Sequence, residues 1–164
     1  MAFGTGTHES TRMCLRALES LADLFEGSQG ASLLDVGTGS GILAIAAVFL
    51  GIKKAIGIDF DHQAIACAKK NAENNGVTGR VTLSTDSLKK TAGQFSIVVA
   101  NILPHVLIDM KEDLSAHVSQ GGFLVLSGIL NEKAGQVADV FSESLTLHRE
   151  IHENEWTCLV FKKQ

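Results

Sequence analysis

Three glycines at alternate positions, Gly37, Gly39 and Gly41, separate a short apolar segment from a longer one. The first segment, 32–36, predicts a buried strand, and the second, 42–50, is apolar on almost every side and predicts a buried helix. Because glycine has no Cβ, a turn built from three of them lets the backbone touch a ligand directly. Strand, glycine turn and helix N-terminus together predict a nucleotide-type binding site at the carboxyl end of a strand.

The spacing of the glycines distinguishes between two kinds of nucleotide site. A dinucleotide fingerprint, G-x-G-x-x-G, would need glycine at position 42, where this chain has Ile42. The spacing G-x-G-x-G, preceded by the acidic residue Asp35, instead resembles the first motif of Rossmann-like S-adenosylmethionine (SAM) methyltransferases. SAM has no phosphate, so the loop need only pass closely under its ribose and methionine. A glycine-rich turn that binds nothing is the alternative interpretation.

Three further predicted strands end at polar residues, Asp59, Asp86 and Asn101. The carboxyl ends of parallel strands meet at one edge of a sheet, and ligands bind there. Asp59 suits the hydroxyls of a ribose, because a carboxylate can accept two hydrogen bonds from a vicinal diol; a turn or helix-capping aspartate is the alternative. Asp86, or the neighbouring Ser87, could meet the amino edge of adenine, and a solvated loop acid is nearly as good an interpretation.

The tetrapeptide Asn-Ile-Leu-Pro at 101–104 suggests which atom would be methylated. Methyl transfer is an in-line displacement on a sulfonium carbon, so a nitrogen nucleophile must direct its lone pair along one axis. A side-chain amide oxygen and a backbone carbonyl can accept the hydrogens of an amine and thereby orient that lone pair. The stretch is similar to the N-P-P-Y-type motif of amino-group methyltransferases, which makes Asn101 the candidate catalytic residue. An ordinary turn asparagine is the alternative.

Composition limits the class of the protein. The chain has 164 residues, of which 45% are hydrophobic and 20% charged, as expected for one packed domain. A net charge of −4 argues against a general nucleic-acid-binding surface and is compatible with a basic protein partner. The cysteines Cys14, Cys67 and Cys158 lack metal-ligand spacing, and we expect them to be small core residues in a reducing cytoplasm. The longest apolar run, 42–50, is too short to span a bilayer.

The order of predicted elements indicates the fold. Strands alternate with helices along the chain, and two final strands, 145–151 and 156–161, are joined by a polar turn. The expected fold is therefore α/β, a Rossmann-like doubly wound, mostly parallel seven-stranded sheet with a terminal antiparallel hairpin. Two details are also expected. One helix runs from Pro104 past Leu114, and Asn131 caps another.

Six segments of the sequence, taken in order, resemble the catalytic domain of the ribosomal protein L11 methyltransferase family. They are FGTGTHEST (3–11), LLDVGTGSGILAIAA, AIGIDFD, VVANIL, GGFLVLSGIL and EWTCLVF. The resemblance covers essentially all of residues 1–164 as one catalytic domain. It implies a SAM-dependent N-methyltransferase that acts on lysine side chains and an N-terminal amine of a large-subunit ribosomal protein.

The resemblance also implies a set of cofactor contacts and a loop, 3–8, that folds over the SAM. The contacts carried over position by position are Thr11, Gly37, Asp59 and Asn101. Together with the glycine turn and the strand ends, the expected SAM-binding residues are Phe3, Thr5, Gly6, Thr11, Gly37, Thr38, Gly39, Asp59, Asp86 and Asn101. Asn101 is also the expected catalytic residue, and no metal is expected.

The chain departs from the family pattern in several places. Glu9-Ser10 replaces Pro-Thr, His62 replaces proline, and Pro104 replaces alanine in the predicted acceptor-site loop. Family members carry an N-terminal substrate-recognition domain that this sequence lacks, so we expect either a truncated chain or a stand-alone relative with another target. His8 could approach the acceptor amine. The other histidines share no ligand spacing and are expected to be solvated; they are His62, His105, His117, His148 and His152.

Other functions are compatible with parts of the same sequence. A SAM methyltransferase with another protein or a small molecule as acceptor, and a non-catalytic SAM-binding module, are the two alternatives. A nicotinamide oxidoreductase is disfavoured because of Ile42 and because the chain has no tyrosine to serve as catalyst. For the favoured function we expect a cytoplasmic monomer whose partner is a ribosomal protein, without direct nucleic-acid or membrane binding.

Overall fold

The computed structural model describes residues 6–164, so the predicted cofactor residues Phe3 and Thr5 lie outside the described residues. The strands of the described part are β1 (Ser32–Val36), β2 (Lys54–Ile58), β3 (Val81–Ser84), β4 (Phe95–Asn101), β5 (Val118–Leu130), β6 (Thr146–Glu153) and β7 (Trp156–Lys162). The helices are α1 (Glu9–Leu24), α2 (Ile42–Phe49), α3 (His62–Asn74), α4 (Pro104–Asp109), α5 (Lys111–His117) and α6 (Asn131–Phe141). A short 3₁₀ helix occupies Leu88–Lys90.

These strands form a single sheet in the order β3-β2-β1-β4-β5-β7-β6. Strands β1 to β5 pair in parallel, whereas β7 runs antiparallel to both of its neighbours, β5 and β6. The strand order reverses between β1 and β4, which is where an open parallel sheet leaves a crevice for a ligand. The predicted doubly wound, seven-stranded sheet with a terminal antiparallel hairpin is therefore confirmed.

Two hydrophobic cores cover the two faces of the sheet, and alternate residues of each strand contribute to one or the other. In β4, Ile97 and Val99 belong to the core that includes α1 and α2. Val98 and Ala100 belong to the core that includes α4, α5 and α6. Because both faces of the sheet are covered, the parallel strands consist of continuous apolar segments. This is the pattern that predicted these strands from the sequence.

The first two helices bury the faces that their sequences predict, with one exception at an end. In α1, Cys14, Leu18 and Leu21 are buried, as the helical spacing predicts. α2 is apolar throughout, but it ends at Phe49, whose side chain is 64% exposed. The prediction of a helix buried along its whole length is therefore wrong at its last turn.

Three other expectations are corrected. The single helix predicted from Pro104 is two helices, because the backbone at Met110 (φ −95°, ψ 8°) leaves helical geometry between α4 and α5. Asn131 is the first residue of α6 and not its cap; its side chain instead donates to the carbonyl of Asn154 (3.0 Å) and accepts from the hydroxyl of Thr157 (2.7 Å). Cys67 is exposed, because it lies on the outer face of α3, whereas the other two cysteines are buried as predicted.

One carboxylate is buried inside the sheet. Asp35 of β1 is only 1% exposed and accepts a hydrogen bond from the hydroxyl of Thr38 at 2.6 Å. Burial raises the pKa of Asp35 from 3.8 to about 6, against the opposing effects of the hydrogen bonds from Thr38 and from the backbone of Ala44. The protonated form is therefore favoured more strongly in the native protein than in the unfolded chain.

This burial predicts a specific pH dependence of stability. With a native pKa above the unfolded one, the stabilisation from the Asp35 side chain is full below about pH 4 and is lost as pH rises through about 6. Asp35→Asn stays neutral at every pH. We expect the free energy of unfolding of the unsubstituted chain to fall by about 2 kcal/mol relative to Asp35→Asn between pH 4 and 7, because the full effect of the shift is about 3 kcal/mol at about 1.4 kcal/mol per pKa unit and part of it is already lost at pH 4. Urea unfolding of both proteins at intervals of pH measures the difference, and parallel curves would contradict the prediction.

Candidate active site

The carboxyl ends of the central strands bring three of the predicted site residues to one edge of the sheet. Strand β1 lies between β2 and β4, so Gly37, Asp59 and Asn101 follow adjacent strands. The register pairs Val36 with Ala100, which places the start of the glycine turn beside the end of β4. Residues that are separated by more than sixty positions in the chain are thus neighbours at the switch point of the sheet.

The glycine turn is held against the end of β2 by its own backbone. The N–H groups of Gly37 and Thr38 both donate to the carbonyl of Ile58, at 2.8 and 2.9 Å. Gly37 adopts φ +74°, and a Cβ on it would lie 2.7 Å from the Cγ2 of Ile102. Only glycine fits this position, because both the backbone conformation and the neighbouring side chain exclude a methyl group. The same contact shows that the segment after β4 lies directly against the turn.

Thr38, one of the predicted cofactor residues, directs its side chain into the protein. Its side chain is buried and donates to the buried carboxylate of Asp35, so the hydroxyl is used inside the protein. This pair of side chains was missed as a unit by the sequence reasoning. The signal for it is the spacing of three residues between a strand-end acid and a threonine within the glycine motif.

Asp59 is half-buried beside the glycine turn, and both of its oxygens accept backbone hydrogen bonds. Oδ2 accepts from the N–H of Gly39 and Oδ1 from the N–H of Asp61, each at 3.0 Å. A carboxylate has about four acceptor positions, so two remain for a ligand. Asp61 caps α3 by accepting from the N–H of Gln63 at 2.8 Å, as predicted. Asp59 is therefore not needed as the cap of α3, but its bond from the N–H of Asp61 is that of a turn aspartate, so this part of the alternative describes its structural role.

Asn101 ends β4 and meets the first turn of α1. Its Nδ2 donates a long hydrogen bond, 3.4 Å, to the hydroxyl of Thr11, which is buried. Ser10 precedes Thr11 in the first turn of α1. It is linked to β5, because the hydroxyl of Ser127 donates to its carbonyl at 3.0 Å. Thr11 and Asn101, which are both predicted site residues, are therefore in direct contact. Ser127 was missed by the sequence reasoning, although it lies in a segment that carried the family resemblance.

The residues before α1 approach the same edge of the sheet. His8 caps α1 by accepting from the N–H of Ser10 at 3.1 Å, and its ring meets the ring of Trp156 at 4.9 Å in an edge-on arrangement. A Cβ on Gly6 would lie 2.9 Å from the Cδ1 of Ile42, so the chain passes close to the first residue of α2. The described part of the predicted covering loop thus lies beside the glycine turn.

Asp86 lies further out. It is exposed, two residues beyond Ser84 at the end of β3, and its N–H donates to the hydroxyl of Ser84 at 2.9 Å. Strand β3 is the edge strand next to β2, and the N–H of Asp59 donates to the carbonyl of Ser84 at 3.2 Å. The structure therefore places Asp86 on the Asp59 side of the crevice, away from Asn101.

Residues 6–164 contain neither a cluster of metal-ligating side chains nor a membrane-spanning helix. Within that part of the chain, no three histidine, cysteine or acidic side chains are grouped as a metal site would require. None of its helices is long and apolar enough to cross a membrane.

The expectation of solvated histidines is wrong for His117, which is half-buried with its two ring nitrogens 2.7 and 2.8 Å from the carbonyls of Asp113 and Thr91.

Comparison with known proteins agrees with this geometry. The sequence model of the family described as ribosomal protein L11 methyltransferase (PrmA) matches residues 1–164. A ribosomal protein L11 methyltransferase from Geobacter metallireducens (strain ATCC 53774 / DSM 7210 / GS-15) is 52% identical over 163 residues, which are 99% of this chain and 52% of that relative. The chain thus spans about half the length of the curated relatives that it matches.

Solved structures share the fold. The ribosomal protein L11 methylase of Lactobacillus delbrueckii subsp. bulgaricus superposes with a TM-score of 0.84 at 30% identity, covering 97% of this chain and 81% of that one. The N-methyltransferase NodS of Bradyrhizobium japonicum WM9, solved in complex with S-adenosyl-L-homocysteine, gives 0.74 at 15% identity over 96% of this chain and 89% of that one, a likeness of fold alone. Because the family model matches all of residues 1–164, this chain belongs to the ribosomal protein L11 methyltransferase family.

Proposed function

We propose that this chain is the catalytic domain of a SAM-dependent N-methyltransferase whose substrate is ribosomal protein L11. The observation that carries the proposal is the contact between the two halves of the site. Ile102 lies against Gly37. Its chain neighbour Asn101, whose amide is suited to orient an amine, therefore lies beside the glycine turn that would hold the cofactor. Lysine side chains and the N-terminal amine of the substrate are the proposed acceptors.

The residues of the glycine turn and of β2 fit SAM. The backbone of Thr38 and Gly39 and the remaining acceptor positions of Asp59 together suit a ligand with a ribose diol and no phosphate. We assign Asp86 to the adenine side, and Phe3, Thr5 and Gly6 to the covering loop. Bound there, SAM would supply a methyl group on a positively charged sulfur.

The chain's own contribution to the transfer is the placement of the amine. The Oδ1 of Asn101 and the carbonyl of Ile102 accept the hydrogens of a neutral amine, so that its lone pair points toward the glycine turn. Asparagine is a poor base, and the acceptor therefore loses its proton to solvent before it enters. Because free lysine has a pKa of about 10.4, turnover should rise toward alkaline pH.

Recognition of the ribosomal protein would depend on the part of the curated relatives that lies outside their match with this chain. The net charge of −4 suits a basic protein acceptor better than a nucleic acid. We also propose that the enzyme is a monomer and that it acts in the cytoplasm. A different protein or a small molecule as acceptor, or SAM binding without catalysis, are the other outcomes that the following experiment distinguishes.

The direct test is mass spectrometry of ribosomal proteins after incubation with the chain and methyl-labelled SAM. We expect label on L11, at amino groups. Label on another protein would replace the proposed substrate, and SAM binding without any label on a protein or a small amine would indicate a non-catalytic module.

The first prediction concerns Asp59. Asp59→Ala should weaken SAM binding by about 1.5–3 kcal/mol, the range for a hydrogen bond to a charged group, with the fold intact. Asp61→Ala is the matched control, because it removes a carboxylate from the same loop that caps α3 and does not touch the glycine turn. Calorimetric titration with SAM gives both affinities. Equal affinities for the two variants would remove Asp59 from the cofactor site.

A second prediction concerns Asn101. Asn101→Ala should lower turnover by roughly a hundredfold, the scale for losing one preorganised polar contact, while SAM affinity changes much less. Asn75→Ala, which removes an exposed amide at the end of α3, should leave both unchanged. Turnover and SAM titration are measured side by side across pH. If Asn101→Ala loses affinity and turnover in equal measure, the residue is a cofactor ligand and the catalytic assignment passes to the covering loop.

A third prediction concerns substrate recognition. The 164-residue chain should bind SAM but methylate L11 slowly. Fusing it to the remaining part of a curated relative should raise kcat/KM for L11, because it increases the effective concentration of the substrate. The gain should appear in KM for L11 and not in the affinity for SAM. Equal KM values for the chain and the fusion would show that recognition lies within these 164 residues.

A further inference from the structure

Gly128 lies in β5 beside the two oxygen atoms that the proposed function assigns to the acceptor amine. It adopts φ +81°, and the pairing of β5 with β7 shifts register between Leu126 and Ile129, on either side of it. A Cβ on Gly128 would lie 2.8 Å from the carbonyl oxygen of Ile102 and 3.1 Å from the Oδ1 of Asn101. The backbone of β5 therefore lies so close to both oxygens that the α-carbon of residue 128 can carry only a hydrogen atom on the side that faces them.

The other end of the Asn101 amide is contacted by Thr11. Its buried hydroxyl accepts from Nδ2 at 3.4 Å, and α1 is itself fixed to β5 through the hydrogen bond from Ser127 to the carbonyl of Ser10. The amide is thus held from two sides by elements that are joined to each other. Neither Gly128 nor Thr11 needs to touch the acceptor to control where the oxygen points.

We propose that Gly128 and Thr11 are positioning residues for the transfer, which fix the Asn101 amide and the Ile102 carbonyl as a pair of acceptors for one amine. The inference rests on the proposed function, because it concerns the amine that this function places there. An amine held by two oxygens has its lone pair set by both of them. A displacement of either oxygen by about 1 Å would turn the lone pair away from the in-line direction, at a cost of about a hundredfold in rate.

Another glycine in the same strand separates the steric contact from backbone strain. Gly121 also has a positive φ, +77°, but a Cβ on it would have no heavy atom within 4 Å. Alanine at either position therefore adopts a similarly unfavourable backbone conformation. Only alanine at position 128 also displaces the two oxygens, so Gly121→Ala is the matched control for Gly128→Ala.

The experiment compares Gly128→Ala with Gly121→Ala by SAM titration, by turnover on an amine acceptor, and by the NMR signals of the Asn101 side-chain NH₂. Those signals are identified by their loss in Asn101→Ala. Gly128→Ala should shift the signals and lower kcat by about 10- to 100-fold, with SAM affinity within about threefold of the unsubstituted chain. Gly121→Ala should shift neither the signals nor kcat. Equal kcat and equal signals in the two variants would overturn the role of Gly128.

Substitutions of Thr11 provide an independent test of the same inference. Thr11→Val removes the hydroxyl at constant shape and should lower kcat and shift the same NH₂ signals, and Thr11→Ser should recover most of the loss. Equal kcat and signals in Thr11→Val and Thr11→Ser would overturn the role of Thr11, and this pair decides the inference if Gly128→Ala does not fold. If the unsubstituted chain methylates no amine, the proposed function fails by itself. The NH₂ signals, which need no substrate, then still test whether Gly128 and Thr11 hold the amide.

Discussion

The parallel pairing of β1 with β4 is the interaction on which the site depends. Its register sets Val36 opposite Ala100, so the glycine turn and Asn101 leave the sheet side by side. In an open parallel sheet this is the place where helices depart to opposite faces and a crevice opens. A shift of one residue in this pairing would turn every β4 side chain to the other face and would separate the amide from the turn.

Missing side chains are as important to this edge of the sheet as the polar groups. Gly37 permits Ile102 to lie over the turn, and Gly128 permits β5 to lie against the carbonyl of the same residue. Ile102 is therefore packed between two glycines that are far apart in the chain. This packing fixes the segment after β4 without using any of the hydrogen-bonding capacity that a substrate would need.

Two carboxylates hold the glycine turn, and they differ in how deeply they are buried. Asp35 lies under the turn, bonded to Thr38, and its burial raises the pKa to about 6. Asp59 lies beside the turn, accepts from Gly39 and stays half-buried, so it keeps acceptor positions open. Desolvation raises the pKa of Asp35, because water is excluded from its carboxylate and the charged form is penalised there. One acid thus serves the fold, and the other is available to a ligand.

The sequence alone determined whatever depends on neighbours in the chain. The glycine spacing, the alternation of strands and helices, the cap at Asp61 and the polar residues at strand ends were all predicted, because each is a local preference of the backbone. Local patterns also misled, since the spacing that predicted one helix from Pro104 could not show the break at Met110. The exposure of Cys67 likewise depends on what packs against α3 and not on the helix itself.

Only the tertiary structure decided how these pieces meet. The position of β7 between β5 and β6, the hydrogen bond from Asn101 to Thr11 across ninety residues, and the contact of Gly128 with Ile102 all join distant segments. Such contacts leave no periodic signal in the sequence, because they are fixed by strand order and register in the complete sheet. The residues that meet at this edge of the sheet could therefore be named from the sequence, whereas the orientation of the Asn101 amide is set by α1 and β5 packing around it.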